Sequence, residues 1–184
     1  GFADIPQVKQ YNLFNRWAYM GDKYIFQAGI KFLNEDRNSG QVAHHGTTLS
    51  DPYRINMQTD RYEAFIKQAY IFDKEHNTNL ALITSGTIHQ MDAVYGHKLY
   101  NVDQQNAYAS LLFETEFTPQ HALSAGLSLN YDRYDQQYRL TNDASLPLTP
   151  ELDKETVSGA YAQYTYTPND KLTLMAGILI DWLD

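Results

Sequence analysis

Phe117-Thr118-Pro119-Gln120-His121-Ala122-Leu123-Ser124-Ala125-Gly126-Leu127-Ser128-Leu129-Asn130-Tyr131-Asp132 is the stretch whose reading settles the fold. Leu123, Ala125, Leu127, Leu129 and Tyr131 fall on one side of an extended chain. Ala122, Ser124, Gly126, Ser128, Asn130 and Asp132 fall on the other. Successive side chains of a strand point to opposite faces, so this is a strand with one apolar and one polar surface. Thr118-Pro119-Gln120-His121 ahead of it reads as a tight turn, with Pro119 outside the ladder where its missing N–H does no harm.

The pattern repeats outward from this hairpin. Met20-Gly21-Asp22-Lys23, Asp73-Lys74-Glu75-His76-Asn77 and Thr167-Pro168-Asn169-Asp170 read as three further short turns. Longer polar connections are expected near 36–57, 92–104 and 135–154. Strands are then expected at 10–20, 23–35, 57–72, 79–91, 105–117, 121–134, 155–167 and 171–182. In the last, Leu172, Leu174, Ala176, Ile178, Ile180 and Trp182 share a face. Ala107, Ala109, Leu111, Phe113 and Phe117 oppose Tyr108, Ser110, Glu114 and Glu116 in the fifth. Tyr62, Ala64, Ile66, Tyr70 and Phe72 oppose Arg61, Glu63 and Lys67 in the third. Gln68 and Asn15 break the pattern.

Short turns alternating with long connections put all short turns at one end of a strand bundle. With strands of about ten residues or more, that asymmetry marks an outer-membrane β-barrel. The expected fold class is all-β, an antiparallel up-and-down transmembrane β-barrel segment of about eight strands in four hairpins. Residues 1–184 would form a single domain or part of one. Charged residues at strand centres would be costly in a dry sandwich core and natural in a wet or plugged lumen. Aromatic residues gather at two levels. Trp17, Tyr19, Tyr24, Tyr70, Phe72, Phe117, Tyr164 and Tyr166 lie near the short turns, and Phe32, Tyr131 and Trp182 lie roughly ten residues further along. At about 3.3 Å per residue and about 40° tilt, that separation spans about 25 Å, the height of a barrel's apolar band.

Composition narrows the function classes. The net charge of −8 argues against nucleic-acid binding, which would want a basic stripe. There is no cysteine, hence no disulfide or thiol chemistry. No apolar run reaches the length of a transmembrane helix. The chain opens on Gly1-Phe2-Ala3, without a signal peptide or initiating Met, and is expected to be a piece of something longer. No nucleophile elbow, zinc-binding helix or phosphate loop appears, and Ser85 and His89 lie too far apart along one strand to pair. An enzyme is not expected, and neither is a cofactor.

Six stretches, in order, carry a family resemblance. They are Asp60-Arg61-Tyr62-Glu63-Ala64-Phe65, Leu82 to Met91, Gln105 to Leu111, Leu127 to Asp132, Gly159 to Tyr166 and Leu174 to Trp182. Together they resemble the barrel domain of TonB-dependent outer-membrane receptors of the Bacteroides type, from about residue 10 to the end. The family often has Arg where this chain has Leu179. The resemblance implies a slice of a barrel of roughly 22 strands closed around an N-terminal plug. It implies a Gram-negative outer-membrane location and uptake of a scarce nutrient, whether siderophore–iron, cobalamin, haem or glycan. The implied partners are outer-membrane lipid, the plug, the TonB energy-transducing complex and the nutrient. No plug and no TonB box is recognisable in these residues. The alternatives are a small closed eight-stranded outer-membrane barrel with a structural or adhesive role, or a soluble lipocalin-like binding barrel.

Two groups of residues are candidate sites. His44, His45, His89, Met91 and His97, with Met57, gather toward the long connections and are candidates for ligand binding. Imidazole with thioether would suit copper or a haem-like ligand, against chance placement of exposed loop residues. Arg61, Glu63, Lys67, Glu114 and Glu116 are expected to face the lumen or plug, against simple cross-strand charge pairing. Asp132, Asp135, Asn142 and Asp143 could offer oxygen ligands to calcium, though without the spacing of a dedicated loop. No metal is assigned.

Overall fold

A computed structural model describes residues 5–41 and 51–184. Eight strands form one sheet: β1 (Gln7–Met20), β2 (Tyr24–Gly40), β3 (Arg54–Asp73), β4 (Thr78–Tyr95), β5 (Lys98–Thr118), β6 (His121–Arg139), β7 (Thr149–Asn169) and β8 (Leu172–Leu183). Each pairs antiparallel with its successor, so the spatial order is the chain order and β1 and β8 are the edges. Among the described residues there is no helix. This is the expected up-and-down architecture.

The short turns lie at one end and are tied sideways. Ile71 N donates to Lys23 O (2.8 Å), Glu116 N to His76 O (2.7 Å) and Thr167 N to Gln120 O (2.8 Å). The ladder slips beside three of them, between Ile71 and Asp73, Glu116 and Thr118, and Tyr166 and Asn169. Such irregularities raise local twist and let a strand end turn sharply.

The other end departs from expectation. No loop exists over 92–104. β4 runs to Tyr95, β5 starts at Lys98, and Gly96-His97 is a two-residue turn. Gly96 has φ 64°, the left-handed conformation that such a turn demands and that glycine adopts freely. The connection expected at 135–154 shrinks to residues 140–148, and β2 and β3 extend into the one expected at 36–57, β2 to Gly40 and β3 from Arg54. The physical reason is common to all three. Beyond the apolar band, acidic residues such as Asp36, Asp92 and Asp103 enter the face that is apolar lower down, so alternation fades and composition there no longer distinguishes strand from loop.

Register is continuous across the sheet. Trp17, Ala28, Ile66, Thr84, Ala109, Leu129, Ser158 and Trp182 make one row through all eight strands. The next row, on the opposite face, is Arg16, Gly29, Phe65, Ser85, Tyr108, Asn130, Val157 and Leu183. The faces are therefore those the alternation implied. On the apolar face Leu127 is 59% and Ile178 70% exposed. The most covered side chains, Ala93, Val102 and Ser110, sit on the polar face. Among the described residues no second layer covers the apolar face, so the sheet has no dry core between layers. Gln68, the exception on that face, accepts a hydrogen bond from the Tyr24 hydroxyl (3.0 Å).

Candidate functional site

The polar face carries the chemistry, and register decides what meets on it. Arg61, Glu63 and Lys67 alternate along β3, and Glu114 and Glu116 along β5, all on this face. Glu63 lies between two cations. Its carboxylate is 3.0 Å from Lys31 Nζ and 2.6 Å from Arg61 Nη2. Lys31 faces Glu63 directly across the β2–β3 ladder, while Arg61 reaches back along its own strand. Lys67 is not in this cluster; its ammonium lies 5.7 Å from the centre of the Phe65 ring. Glu114 and Glu116 sit near the short turns, where Asn77 donates to Glu116 (2.7 Å) and Asn79 reaches Glu114 at 3.5 Å.

A second network lies on β5 and β6. Asn106 Nδ2 donates to Asn130 Oδ1 and Asp132 Oδ2, both at 2.9 Å, and Gln104 donates to Asp132 Oδ1 at 3.1 Å. Three amide donors on Asp132, counting Asn130 at 3.2 Å, hold the carboxylate on the face. Glu155 lies directly opposite Asp132 on β7. Like charges placed so are unfavourable unless a cationic group joins them.

Charge on this face is segregated. On β1–β4 stand Arg16, Lys31, Arg37, Arg61 and Lys67 against Glu35 and Glu63. On β5–β8 stand Glu114, Glu116, Asp132, Glu151, Asp153, Glu155 and Asp181 against Lys98. One half of the wall is basic and the other strongly acidic.

Toward the long connections the polar face becomes aromatic and soft. Tyr100 donates to Gln136 Oε1 (2.8 Å), and its hydroxyl lies 3.5 Å from that of Tyr134. Tyr95 donates to Met57 Sδ at 3.6 Å. His89 and Met91 share this face, but His89 stands opposite Arg61, and its Nδ1 is buried without a partner.

The candidate ligand residues therefore do not converge. His97 is in the Gly96-His97 turn with Nε2 3.0 Å from Asp51, apart from His89 and Met91. His44 and His45 lie outside the described residues. Asp132 and Asp135 point to opposite faces, and Asp143 is engaged by Ser145 at 2.7 Å. Among the described residues no three His, Asp or Glu side chains are placed to hold a metal ion. Sequence reading missed Lys31, Asn106, Asn130 and the Tyr100–Tyr134–Gln136 group. Their partners are 24 to 36 positions away, so only strand register reveals them.

Comparison with known proteins bears on the fold. No protein-family model matches the chain, and no curated protein matches it. Among solved structures it is similar to the alcaligin outer-membrane receptor FauA from Bordetella pertussis, at 12% identity and a TM-score of 0.71. That match covers 95% of this chain and 28% of the receptor. It is also similar to the toluene transporter TodX from Pseudomonas putida, at 12% identity and a TM-score of 0.51, covering 96% of this chain and 56% of the transporter. The chain thus spans less than two thirds of either. At such identity the likeness is one of fold, that of an outer-membrane β-barrel.

Proposed function

We propose that this sheet is a sector of the wall of a Gram-negative outer-membrane receptor that takes up a scarce nutrient, in the manner of TonB-dependent receptors. The observation that carries the reading is the two-faced sheet. It pairs a bare apolar face with a charged, hydrogen-bonded one along strands of 12 to 21 residues. A soluble lipocalin-like barrel needs the reverse, an apolar interior. Among the described residues β1 and β8 each pair on one side only, which favours a sector of a larger barrel over a closed eight-stranded one.

In this reading the apolar face meets outer-membrane lipid and the polar face lines the lumen. A plug seated there would offer acidic groups to Lys31, Arg61 and Lys67 and basic groups to Asp132, Glu155 and Glu114. The tyrosine-rich wall around Tyr100 and Tyr134 would meet the nutrient as it enters from the long-connection side. Transport against a gradient would draw on the TonB complex through the rest of the protein. The role of the wall is positioning and binding, with no bond made or broken.

The test uses the absence of cysteine, which makes every introduced cysteine a unique labelling site. Spin labels at Leu127 and Ile178, in the chain reconstituted in lipid, should be quenched by lipid-soluble reagents. Labels at Ser124 and Ser128 should be quenched by water-soluble ones. The reverse pattern would overturn the reading.

A further inference from the structure

The apolar face holds a hollow of about 600 Å³, bordered by Phe32, Tyr62, Ile88 and Tyr131 and floored at Gly86 and Ala107. At its rim on β5 is Gln105, directly opposite Arg133 on β6. Arg133 in turn lies directly opposite Lys154 on β7, on the same face. Two cations thus stand side by side where the apolar band of β6 and β7 ends. Directly opposed like charges repel across a ladder. Asp135 relieves one of them, at 2.8 Å from Arg133. Lys154 has no ion-pair partner among the described residues and is exposed. A third, anionic group between the two would remove the repulsion.

The geometry points to a binding site for one phosphorylated, multi-acylated lipid, with a phosphate held between Arg133 and Lys154 and an acyl chain laid in the hollow. The charge pair selects the headgroup, and the hollow selects a chain over a bare anion. Arginine suits phosphate through its planar fork of donors, and lysine through its compact charge. On β2 to β5 the first charged residues beyond the apolar band are instead acidic, Asp36, Asp60, Asp92 and Asp103, so the site is confined to the β6–β7 side. The inference rests on the apolar face meeting lipid, and its test separates the two.

The probe is lipid A added to the chain in neutral detergent, with dephosphorylated lipid A and inorganic phosphate as controls. The unsubstituted chain should bind lipid A at least tenfold more tightly than the R133Q/K154Q variant. Dephosphorylated lipid A should bind both alike and weakly, and millimolar phosphate should not compete. Gly86→Leu should also weaken binding. A Cβ there meets nothing closer than Asn106 O at 3.8 Å, so the side chain enters the hollow without disturbing the sheet. Asp135→Asn, which frees Arg133, should bind at least as well as the original. Far-UV circular dichroism shows whether each variant keeps the sheet. Equal binding by R133Q/K154Q, equal binding of the dephosphorylated lipid, or competition by phosphate alone would overturn the site. If lipid-soluble reagents quench a label at Leu127 and binding is still indifferent to phosphate, the site fails and the lipid-facing assignment stands. If they do not quench it, the assignment itself fails.

Discussion

Gly29 lies directly opposite Phe65 across the β2–β3 ladder, and the phenyl ring occupies the space a Cβ at Gly29 would take. Gly126 and Tyr161 repeat the arrangement on β6 and β7. In both pairs an aromatic ring covers a glycine on the polar face. That shields backbone and lets the wall bend where no side chain obstructs it.

Gly29→Val should therefore destabilise the sheet by about 1–3 kcal/mol, the usual cost of overpacking. Phe65→Ala alone should also destabilise, by loss of the ring's packing. The double variant should cost less than the sum of the singles, because the valine then has room. Urea unfolding in a lipid or detergent host measures all three, and strict additivity would contradict the contact.

Leu127→Arg and Ile178→Arg should each cost about 2–4 kcal/mol if the positions lie near the bilayer midplane. The matched polar-face change Ser128→Arg should cost clearly less, since that face is wet. Comparing folding free energies in lipid decides it. Equal costs on both faces would show that neither meets lipid.

Glu63→Gln should leave Lys31 and Arg61 without their shared carboxylate. The side chains are partly solvated, at 39% and 41% exposure, so the loss should be about 1 kcal/mol or less. Lys31→Met should then cost less in the Glu63→Gln background than in the original. A double-mutant cycle showing no coupling would contradict the pairing.

His76 and Asp73 form an exposed pair in the β3–β4 turn, with Nδ1 2.8 Å from Oδ2. The Asp73 carboxylate holds the His76 imidazole above its ordinary value, chiefly through this hydrogen bond. The same bond holds Asp73 below its ordinary value. The histidine's share of turn stability is full below about pH 6.5 and is lost as pH rises through the raised value. The aspartate's share is present above about pH 3.9 and is lost as pH falls through the lowered value. The pair is thus fully formed between about pH 3.9 and 6.5. Nuclear magnetic resonance titration should find the His76 midpoint raised, and Asp73→Asn should return it to the ordinary range.

The isolated chain should not persist as a monomer in water. Among the described residues β1 and β8 each pair on one side only, and Leu127, Ile178 and Leu174 stand on an uncovered face. Sedimentation without detergent should show self-association. A compact monomer that binds no hydrophobic dye would contradict this prediction.

The alternation of Leu123 to Tyr131 against Ala122 to Asp132, and the turns at Gly21-Asp22, Pro119 and Pro168, were enough to specify strands, faces and antiparallel order. Those features are local, written in residue type at period two and in turn chemistry, and neighbouring hairpins leave register little freedom once one face must be apolar. The sequence could not show where strands end beyond the apolar band. Asp92 to Gln104 mixes polar and apolar residues without a clean alternation and looks like a loop, yet it forms ladder on either side of Gly96-His97. Nor could it show which charges meet. Glu63 finds Lys31, Asn106 finds Asn130, and Arg133 faces Lys154 only because hydrogen-bond register aligns residues tens of positions apart. Residue type set which face each side chain would take, and the pairing of strands, a long-range property of the whole sheet, decided its neighbours.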